Sequence, residues 1–315
     1  MQNFTSIDDV GDPMSLAHRA LAIKKQPFKN NRLGENRVLG MVFFNASLRT
    51  RMSTTRAAYN LGMKVITLNV TSDSWQLELE DGAVMDQGKA EHIKDAIPVM
   101  SSYCDVLAVR AFPTLKDKEK DYKEEVLSAF LKHSRCPLIN LESATLHPLQ
   151  SLADLATIES YKMVERPRVV LTWAPHVSPL PQSVANSFAQ WMNHTDYDFT
   201  ITHPKGLELS EQFVSGANVE FSQEKALQNA DFVYVKNWSS YEDYGKVIAA
   251  PDWIMNKKKL ERTNQAKLMH CLPVRRNVVI ADDALDSDHS IIYEQAENRL
   301  CSAQAVLESL LKDQD

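Results

Sequence analysis

The chain has 315 residues, of which 44% are hydrophobic and 24% are charged. This length is enough for two domains with separate cores, and the composition is typical of a globular protein. The net charge of −6 argues against nucleic acid as the main partner, because a phosphate backbone demands a basic surface. No apolar run approaches membrane-spanning length, so we expect no membrane partner either.

The cysteines and the first ten residues point to the compartment in which the protein works. The four cysteines are scattered without a C-x-x-C pair, which favours reduced thiols. Residues 1–10 contain acids rather than a basic region followed by an apolar stretch, so they do not resemble a secretory signal. We therefore expect a cytoplasmic protein. The histidines show no ligand spacing, and we expect neither a metal site nor a cofactor.

Strand-like apolar segments alternate with helical segments along the whole chain. This alternation predicts an α/β fold with two doubly wound parallel-sheet domains, whose junction we place at residues 144–150. The predicted strands are Val38–Phe44, Lys64–Leu68, Val106–Val109, Leu138–Leu141, Arg168–Trp173, Asp198–Ile201, Phe232–Val235 and Lys267–His270. The predicted helices include Glu91–Met100, Asp121–Leu131, Ser151–Met163, Pro181–Met192 and Glu294–Leu310.

Residues 45–51 form the most informative segment, because they lie where the first buried strand gives way to a helix. Ser47 is the expected N-cap of that helix. A helix N-terminus offers unpaired main-chain N–H groups and a positive dipole end, which suit a bound anion. Arg49 and Arg51 add charged donors, and Thr50 adds a hydroxyl. The segment therefore predicts a phosphate site.

Two further tetrapeptides, His147–Gln150 and His270–Pro273, also follow predicted strands directly. Ligands of open parallel sheets collect outside the carboxyl ends of the strands, so we expect the three motifs to converge on one cleft between two domains. In this order S-x-R-T-R, H-P-L-Q and H-C-L-P resemble the signatures of the aspartate and ornithine carbamoyltransferases. The H-C-L-P form resembles the ornithine branch, and the resemblance runs through Arg299.

The resemblance implies an arrangement of the domains. Residues 1–146 would bind carbamoyl phosphate, residues 147–293 would bind the amine substrate, and the C-terminal helix 294–312 would return to the first domain. A proline-rich segment at 173–181 resembles a loop that belongs to a deep backbone knot in relatives. The family also implies a homotrimer whose active sites are shared between subunits.

Carbamoyl transfer needs a place for phosphate, polarisation of the carbamoyl carbonyl and a neutral amine aimed at its carbon. The resemblance implies that Arg110 and His147 donate to the carbonyl oxygen and that Gln150 accepts from the carbamoyl NH2 group. These three are the expected catalytic residues, and no residue marks itself as the base. By the same resemblance carbamoyl phosphate is bound by Ser47, Leu48, Arg49, Thr50, Trp75, Arg110, His147, Gln150, Cys271, Leu272 and Arg299.

The amine side departs from ordinary ornithine carbamoyltransferases, whose D-x-x-x-S-M-G loop grips a free α-amino group. Here residues 236–241 read K-N-W-S-S-Y, which puts a cation where an acid would lie. That change favours a substrate whose α-nitrogen is acylated and uncharged. The sequence resembles the N-acetylornithine and N-succinylornithine carbamoyltransferases, which implies that the acylornithine is bound by Glu142, His176, Lys236, Arg275 and Ala90.

The acyl group depends on a loop that reaches in from a neighbouring subunit in these relatives. Its deciding position is typically Glu in acetyl users and Pro in succinyl users, whereas this chain has Ala90. The surrounding sequence resembles the succinyl type more, and the lack of an acid there avoids repulsion of a second carboxylate. The favoured reaction therefore converts N-succinyl-L-ornithine to N-succinyl-L-citrulline in arginine biosynthesis.

Alternative functions come from the same family and from other classes. N-acetylornithine transfer is the main alternative, and transfer to free ornithine is less favoured. The chain could also be a non-catalytic relative that binds carbamoyl phosphate. That hypothesis predicts the loss of Arg110, His147 or Gln150, but all three are present. A nucleotide-dependent dehydrogenase lacks support, because the sequence contains neither G-x-G-x-x-G nor a P-loop.

Overall fold

The computed structural model describes residues 1–70 and 72–313. The chain divides into two compact units. Unit one comprises Met1–Thr114, Glu119–Leu149 and Arg299–Asp315, and unit two comprises Leu115–Lys118 and Gln150–Asn298.

Unit one is built on a four-stranded parallel sheet in the order β2-β1-β5-β6. Phe4 extends the β6 edge, where its N–H donates to Leu138 O at 2.8 Å. Two short strands, β3 and β4, pair separately. The strands of this unit are β1 Val38–Phe43, β2 Lys64–Asn69, β3 Leu77–Glu78, β4 Glu91–His92, β5 Val106–Arg110 and β6 Leu138–Glu142.

Unit two is built on a five-stranded parallel sheet in the order β11-β10-β7-β8-β9. Its central strands β7 and β10 are almost entirely buried, as continuous apolar runs covered on both faces should be. The strands are β7 Arg168–Trp173, β8 Asp198–Thr202, β9 Asn218–Glu220, β10 Phe232–Lys236 and β11 Lys267–Met269.

Helices occupy most of the connections between strands. No helix in residues 1–70 and 72–313 is both long and apolar enough to cross a membrane. The helices are α1 Pro13–Lys25, α2 Arg49–Asn60, α3 Ile93–Ser102, α4 Lys118–Tyr122, α5 Glu125–His133, α6 Pro148–Tyr161, α7 Ser183–Asn193, α8 Glu211–Val214, α9 Gln223–Leu227, α10 Lys257–Leu260, α11 Asp282–Leu285 and α12 Ile292–Lys312, with 3-10 turns at Ile7–Asp9 and Pro251–Trp253.

The predicted fold class is confirmed. In unit one the chain moves from β1 to β2 on one side and then to β5 on the other, and in unit two it moves from β7 through β8 to β9 before β10 is added on the opposite side. Each sheet therefore has a point at which the strand order reverses, as a doubly wound sheet requires. Each of the eight predicted strands is present, with ends that shift by at most one residue.

All five predicted helical segments are helical, but none has the predicted ends: α6, α7 and α12 differ by one to three residues at each end, and two others need explanation. The helix expected from Glu91 begins instead at Ile93, because the His92 side chain accepts a hydrogen bond from Lys94 N and caps it. The helix expected over 121–131 is two helices, α4 and α5. They are separated where Glu124 adopts a left-handed conformation with φ 51°. Local apolar periodicity does not reveal this break, because its cause is a tertiary contact of Glu124 described below.

Gly40 in β1 provides a test of packing in unit one. A Cβ at this position would lie 2.5 Å from Cys104 Sγ and 2.8 Å from Leu107 Cδ2. We expect Gly40→Ala to lower the free energy of unfolding in urea by about 1–3 kcal/mol, as overpacked cores do. Gly88→Ala is the matched control, because a Cβ there meets nothing within 4 Å. Equal stability of the two variants would contradict this account of the core.

Candidate active site

Three neighbouring strands of unit one end in polar residues at the same edge of the sheet. β1 leads into the segment 45–50, β5 ends at Arg110 and β6 ends at Glu142. The register aligns Phe43 with Arg110 and Arg110 with Glu142. Because parallel strands share one carboxyl edge, the topology brings these residues together beside the point at which the strand order reverses.

Arg110 is the centre of this group. Its Nη1 donates to Ser47 Oγ at 3.1 Å and to Thr50 Oγ1 at 3.2 Å, and the same atom lies 3.1 Å from Glu142 Oε2. Arg299 Nη2 donates to Thr50 Oγ1 at 2.6 Å. We call Ser47, Thr50, Arg110, Glu142 and Arg299 the Arg110 cluster. The cluster unites residues that lie more than 240 positions apart in the sequence.

The charges of the Arg110 cluster favour a bound anion. Burial lowers the pKa of the Arg110 guanidinium, Glu142 opposes this effect, and the positive charge of Arg49 lowers the pKa further. Guanidinium groups remain protonated in proteins, so this repulsion between like charges persists in the folded chain. An anion bound beside Arg49 and Arg110 would relieve it.

The start of α2 differs from the prediction. Ser47 is not the N-cap, because the helix begins at Arg49 after Leu48, and no described side chain caps it. The Ser47 hydroxyl accepts from Arg110 instead. Since no side chain in the described residues occupies the first-turn N–H groups, they keep the anion-binding character expected of a helix N-terminus.

The two arginines of the first motif have different surroundings. Arg51 donates to Asn69 Oδ1 and lies over the Phe43 ring, 4.9 Å from its centroid. These contacts tie Arg51 to the ends of β1 and β2. Arg49 is partly exposed, and its charge acts on Arg110. Arg49 is therefore the better candidate for a contact with phosphate.

His147 lies beside the Arg110 cluster. It is buried, and its Nε2 lies 3.6 Å from Glu142 Oε2. This distance is longer than a hydrogen bond but is within the range of an ion pair when the imidazole is protonated. The histidine and arginine that the sequence predicts as carbonyl donors therefore share one carboxylate partner.

Glu124, which was not predicted from the sequence, holds the loop that carries His147. Its carboxylate accepts from Ser143 Oγ at 2.7 Å, from Ala144 N at 3.1 Å, and from both N and Oγ1 of Thr145 at 2.6 Å. Burial raises the pKa of Glu124, whereas these hydrogen bonds favour the charged form. In the sequence Glu124 is an acid among charged residues of a helical pattern. Such a pattern looks the same as the solvent-exposed face of a helix, so it does not mark Glu124 as buried.

The switch point of unit two collects a second group of predicted residues. Lys236 ends β10 and is aligned with Trp173 at the end of β7. The Lys236 side chain is buried, and its Nζ donates to Asn237 O at 2.9 Å. His176 lies three residues beyond β7, and its Nε2 accepts from Arg275 Nε at 3.2 Å. The structure thus brings His176 and Arg275 together.

The protonation state of His176 follows from these contacts. A guanidinium only donates, so Nε2 is an acceptor in the contact with Arg275, while Nδ1 lies 2.8 Å from Ser178 O and 3.2 Å from Ser178 N. Burial lowers the pKa of His176, and the charges of Lys236 and Arg275 lower it further, although the bond to Ser178 opposes them. A neutral imidazole between two cations leaves an excess of positive charge, which suits a carboxylate ligand.

Gln150, the last residue of H-P-L-Q, and the H-C-L-P motif are anchored by hydrogen bonds inside unit two. Gln150 is fully buried, and its Nε2 donates to Asp154 Oδ1 at 2.8 Å. His270 N donates to Gln295 Oε1 at 2.8 Å, and His270 Nδ1 accepts from Leu272 N at 2.9 Å. Leu272 has a left-handed backbone with φ 56°, and Cys271 is buried.

Trp75 and Ala90 are both exposed in the segment 72–92. The indole Nε1 of Trp75 donates to Glu91 Oε2 at 2.8 Å. Within the described part of unit one, no hydrogen bond or ion pair joins either residue to the Arg110 cluster. Their roles in substrate binding stay predictions.

Comparison with known proteins gives matches over nearly the whole chain. Residues 2–160 match the carbamoyl-P binding domain of the aspartate/ornithine carbamoyltransferases, and residues 180–310 match their Asp/Orn binding domain. N-succinylornithine carbamoyltransferase of Bacteroides thetaiotaomicron is 50% identical, with 99% of both chains covered. N-acetylornithine carbamoyltransferase of Xanthomonas campestris is 34% identical, with 93% of both covered.

Solved structures of acetylornithine transcarbamylase resemble the chain closely. The complex with acetylcitrulline has a TM-score of 0.92 and 33% identity and covers 98% of this chain and 99% of that one. A single-residue variant complexed with carbamyl phosphate and N-succinyl-L-norvaline has a TM-score of 0.92 and 32% identity, with 98% and 100% covered.

Replacement of Arg49 tests the anion site. We expect Arg49→Ala to weaken binding of inorganic phosphate by about 10- to 100-fold, because one charge-assisted hydrogen bond is lost. Isothermal titration calorimetry measures the affinity, and the melting temperature should stay unchanged. Arg56→Ala is the matched control, because Arg56 is exposed on the same helix and lies over Phe28. Unchanged phosphate affinity in Arg49→Ala would contradict the assignment of the anion site to Arg49.

Proposed function

We propose that this chain, which belongs to the aspartate/ornithine carbamoyltransferase family, transfers the carbamoyl group of carbamoyl phosphate to the side-chain amine of N-succinyl-L-ornithine. The products are N-succinyl-L-citrulline and phosphate, a step of arginine biosynthesis. The observation that carries the proposal is the full-length similarity to the Bacteroides enzyme. Residues 1–146 with helix 294–312 would bind carbamoyl phosphate, and residues 147–293 would bind the acylornithine.

On the phosphate side, the dianion would bind to Ser47, Arg49, Thr50 and Arg299 and to the main-chain amide of Leu48. The repulsion between Arg49 and Arg110 supports this assignment, because a dianion offsets it. Stabilising the phosphate in this way also makes it a better leaving group.

At the reacting carbon, Arg110 and His147 would donate to the carbonyl oxygen as negative charge develops on it. Gln150 and the carbonyl of Leu272 would accept from the carbamoyl NH2 group, with Cys271 packed beside them. The amine nitrogen attacks the carbonyl carbon directly, the carbon–oxygen bond to phosphate breaks, and the leaving phosphate takes up the proton that the amine loses. No enzyme nucleophile is needed, so the rate comes from orientation and from charge stabilisation.

On the amine side, Lys236 and Arg275 would meet carboxylates, His176 would lie between them, and Glu142 would contact the acylornithine. N-succinyl-L-ornithine carries two carboxylates, which match the two cations in number. Free ornithine carries an α-ammonium group, which the same cations would repel. The lowered pKa of His176 supports this reading, because the charges of Lys236 and Arg275 add to the effect of burial.

We further propose that the protein is a cytoplasmic homotrimer in which Trp75 and Ala90 act in the active site of a neighbouring subunit. Their exposure supports this arrangement. An apolar stripe is also exposed at Leu48, which directly precedes α2, and at Met52 and Tyr59 on the helix, next to the edge strand β2. Apolar stripes and unpaired strand edges of this kind are typical of surfaces that are covered by a partner.

Steady-state assays of the ureido product with three amines test the function. We expect the highest kcat/KM with N-succinyl-L-ornithine, a lower value with N-acetyl-L-ornithine and no measurable turnover of L-ornithine. Activity with none of the three would defeat the enzymatic assignment. A preference for the acetyl substrate would favour the alternative, N-acetylornithine transfer. That alternative is open because Ala90 is not the proline that is typical of succinyl users.

Ala90 is the position that should control the acyl group. We expect Ala90→Glu to lower kcat/KM for N-succinyl-L-ornithine by about tenfold or more relative to N-acetyl-L-ornithine, because it places like charges together. Ala90→Gln has the same size without the charge and serves as the control. An equal loss for both substrates in Ala90→Glu would contradict a contact with the second carboxylate.

The apolar stripe of α2 tests the assembly. We expect the unsubstituted protein to sediment with three times the mass of one chain and Met52→Glu to sediment as a single chain, because a charge would be buried in the interface. Activity should fall with the trimer. Met163→Glu is the matched control, because Met163 is 94% exposed and lies in unit two. If the Met52→Glu variant were still a trimer, the apolar stripe would not be the subunit interface.

A further inference from the structure

The segment 79–90 contains Ala90 and has neither a helix nor a strand. Most of its residues are exposed, and Val84, its most apolar side chain, is 78% exposed. Apolar packing therefore does not fix the path of this loop, and loops with few buried contacts are among the most mobile parts of a fold. If Ala90 is to face a substrate at a defined position, polar contacts must hold the ends of the segment.

The segment 79–90 begins and ends at a short pair of strands. β3 pairs with β4, and Glu78 is aligned with His92. Leu77 and Leu79 pack against the hydrophobic core of unit one, so the alternation of side chains directs Glu78 to the opposite side. Each strand has only two residues, which is too short a pairing to hold a loop by itself. The side chain of Glu78 therefore lies at the base of the segment.

The Glu78 carboxylate contacts both ends of the segment. Its Oε1 accepts from the main-chain N of Leu79 at 2.8 Å and from that of Glu80 at 2.9 Å. The same oxygen accepts from Lys89 Nζ at 2.9 Å, and Lys89 directly precedes Ala90. The bond from Glu80 N and then that from Lys89 lower the pKa of Glu78 to about 2. The carboxylate therefore stays charged, and its bonds persist, at neutral pH.

These contacts amount to more than a surface ion pair, which contributes little by itself. The Glu78 side chain is only 15% exposed, and two of its donors are main-chain N–H groups, which cannot leave it unless the chain itself moves. Hydrogen bonds to a charged acceptor are also stronger than bonds between neutral groups. Glu78 thus ties the end of the segment, through Lys89, to its beginning.

His92 ties the beginning of the segment to helix α3. Its Nδ1 accepts from Lys94 N at 3.1 Å, so the proton of the neutral ring lies on Nε2. This Nε2 lies 3.1 Å from Glu80 O, to which it can donate. Helix α3 packs in the hydrophobic core of unit one. A path of hydrogen bonds therefore leads from this helix through Glu80 and Glu78 to Lys89.

We infer that Glu78 is a positioning residue that fixes the place of Ala90 opposite the acyl group of the substrate. The inference rests on the proposed function, in which Ala90 acts in the active site of a neighbouring subunit. Glu78 acts through the loop and not by touching the substrate. Its replacement should therefore affect binding of the acylornithine and spare the phosphate site at the carboxyl ends of β1 and β5.

Glu78→Ala, which removes the acceptor, is the decisive variant. The probes are N-succinyl-L-norvaline, which has the acyl group but no side-chain amine, and inorganic phosphate. We expect Glu78→Ala to weaken N-succinyl-L-norvaline by about tenfold and phosphate by less than about twofold in calorimetry, because a loosened loop must be ordered again on binding. The KM for N-succinyl-L-ornithine should rise by about the same factor, whereas kcat should change less than about twofold.

Asp86→Ala is the matched control, because it removes an exposed acid from the same loop. We expect it to leave the affinity for both probes unchanged. Equal losses for both probes in Glu78→Ala would indicate a general structural role and would overturn the inference. A loss of N-succinyl-L-norvaline affinity no larger than that of Asp86→Ala would overturn it as well.

Glu78→Gln is the conservative variant, because its carboxamide keeps an oxygen that can accept from the two main-chain N–H groups. We expect it to retain the affinity for N-succinyl-L-norvaline within about threefold, since the acceptor shapes the loop. A loss as large as that of Glu78→Ala would overturn this assignment of the role to the hydrogen bonds.

A double-mutant cycle with Lys89→Met tests whether Glu78 acts through the far end of the loop. Met keeps the length of the side chain and removes the donor. If the two residues act as a unit, Glu78→Ala should weaken N-succinyl-L-norvaline much less in the Lys89→Met background than in the unsubstituted protein. Additive losses would overturn the inference.

Hydrogen exchange of the main-chain amides reports on the loop without any substrate. We expect Glu78→Ala to speed exchange in the segment 79–90 by about tenfold and to leave the sheet of unit one unchanged. Equal exchange in Glu78→Ala and the unsubstituted protein would overturn the inference whatever the assays gave. Failure of the proposed function would be seen separately, as no carbamoyl transfer by the unsubstituted protein to any of the three ornithines.

Discussion

The hydrogen bonds and ion pair of Arg110 are the interaction on which the rest of unit one depends. A buried guanidinium at the end of β5 joins the hydroxyls of Ser47 and Thr50 to Glu142 at the end of β6. Because the protein is acidic overall, it must concentrate its arginines locally to attract an anion. The parallel sheet achieves this concentration, since the carboxyl ends of its strands lie at one edge.

Unit two has the same architecture as unit one, but different charges lie at the carboxyl ends of its strands. Its strand order reverses between β7 and β10, where Lys236 ends β10 and His176, whose pKa is lowered, follows β7. An enzyme that bound free ornithine would need an acid for the α-ammonium group. In the proposed function Lys236, which is aligned with the end of β7, would reverse that requirement, so one charge at a strand end would distinguish substrate classes within a common fold.

Much of the fold and part of the site could be predicted from the sequence. Buried parallel strands are continuous apolar runs, and three short motifs after such runs marked the residues that the structure places at the carboxyl edges. The expected N-cap was wrong, because the Ser47 hydroxyl could satisfy either the helix or Arg110, and only the folded chain decides between them. Glu124 was missed for a related reason. An acid in a helical pattern looks the same whether it faces water or holds a loop.

The sequence by itself determined the alternation of strands and helices, the family and the residue types at the ends of the strands, because apolar periodicity and short motifs are local. The tertiary structure decided which of these residues share hydrogen bonds. Ser47 and Arg110 are 63 positions apart, and Asp154 and Gln295 are 141 positions apart. Such pairs form only when the chain has folded, since their energy comes from burial and from partners that no local pattern specifies.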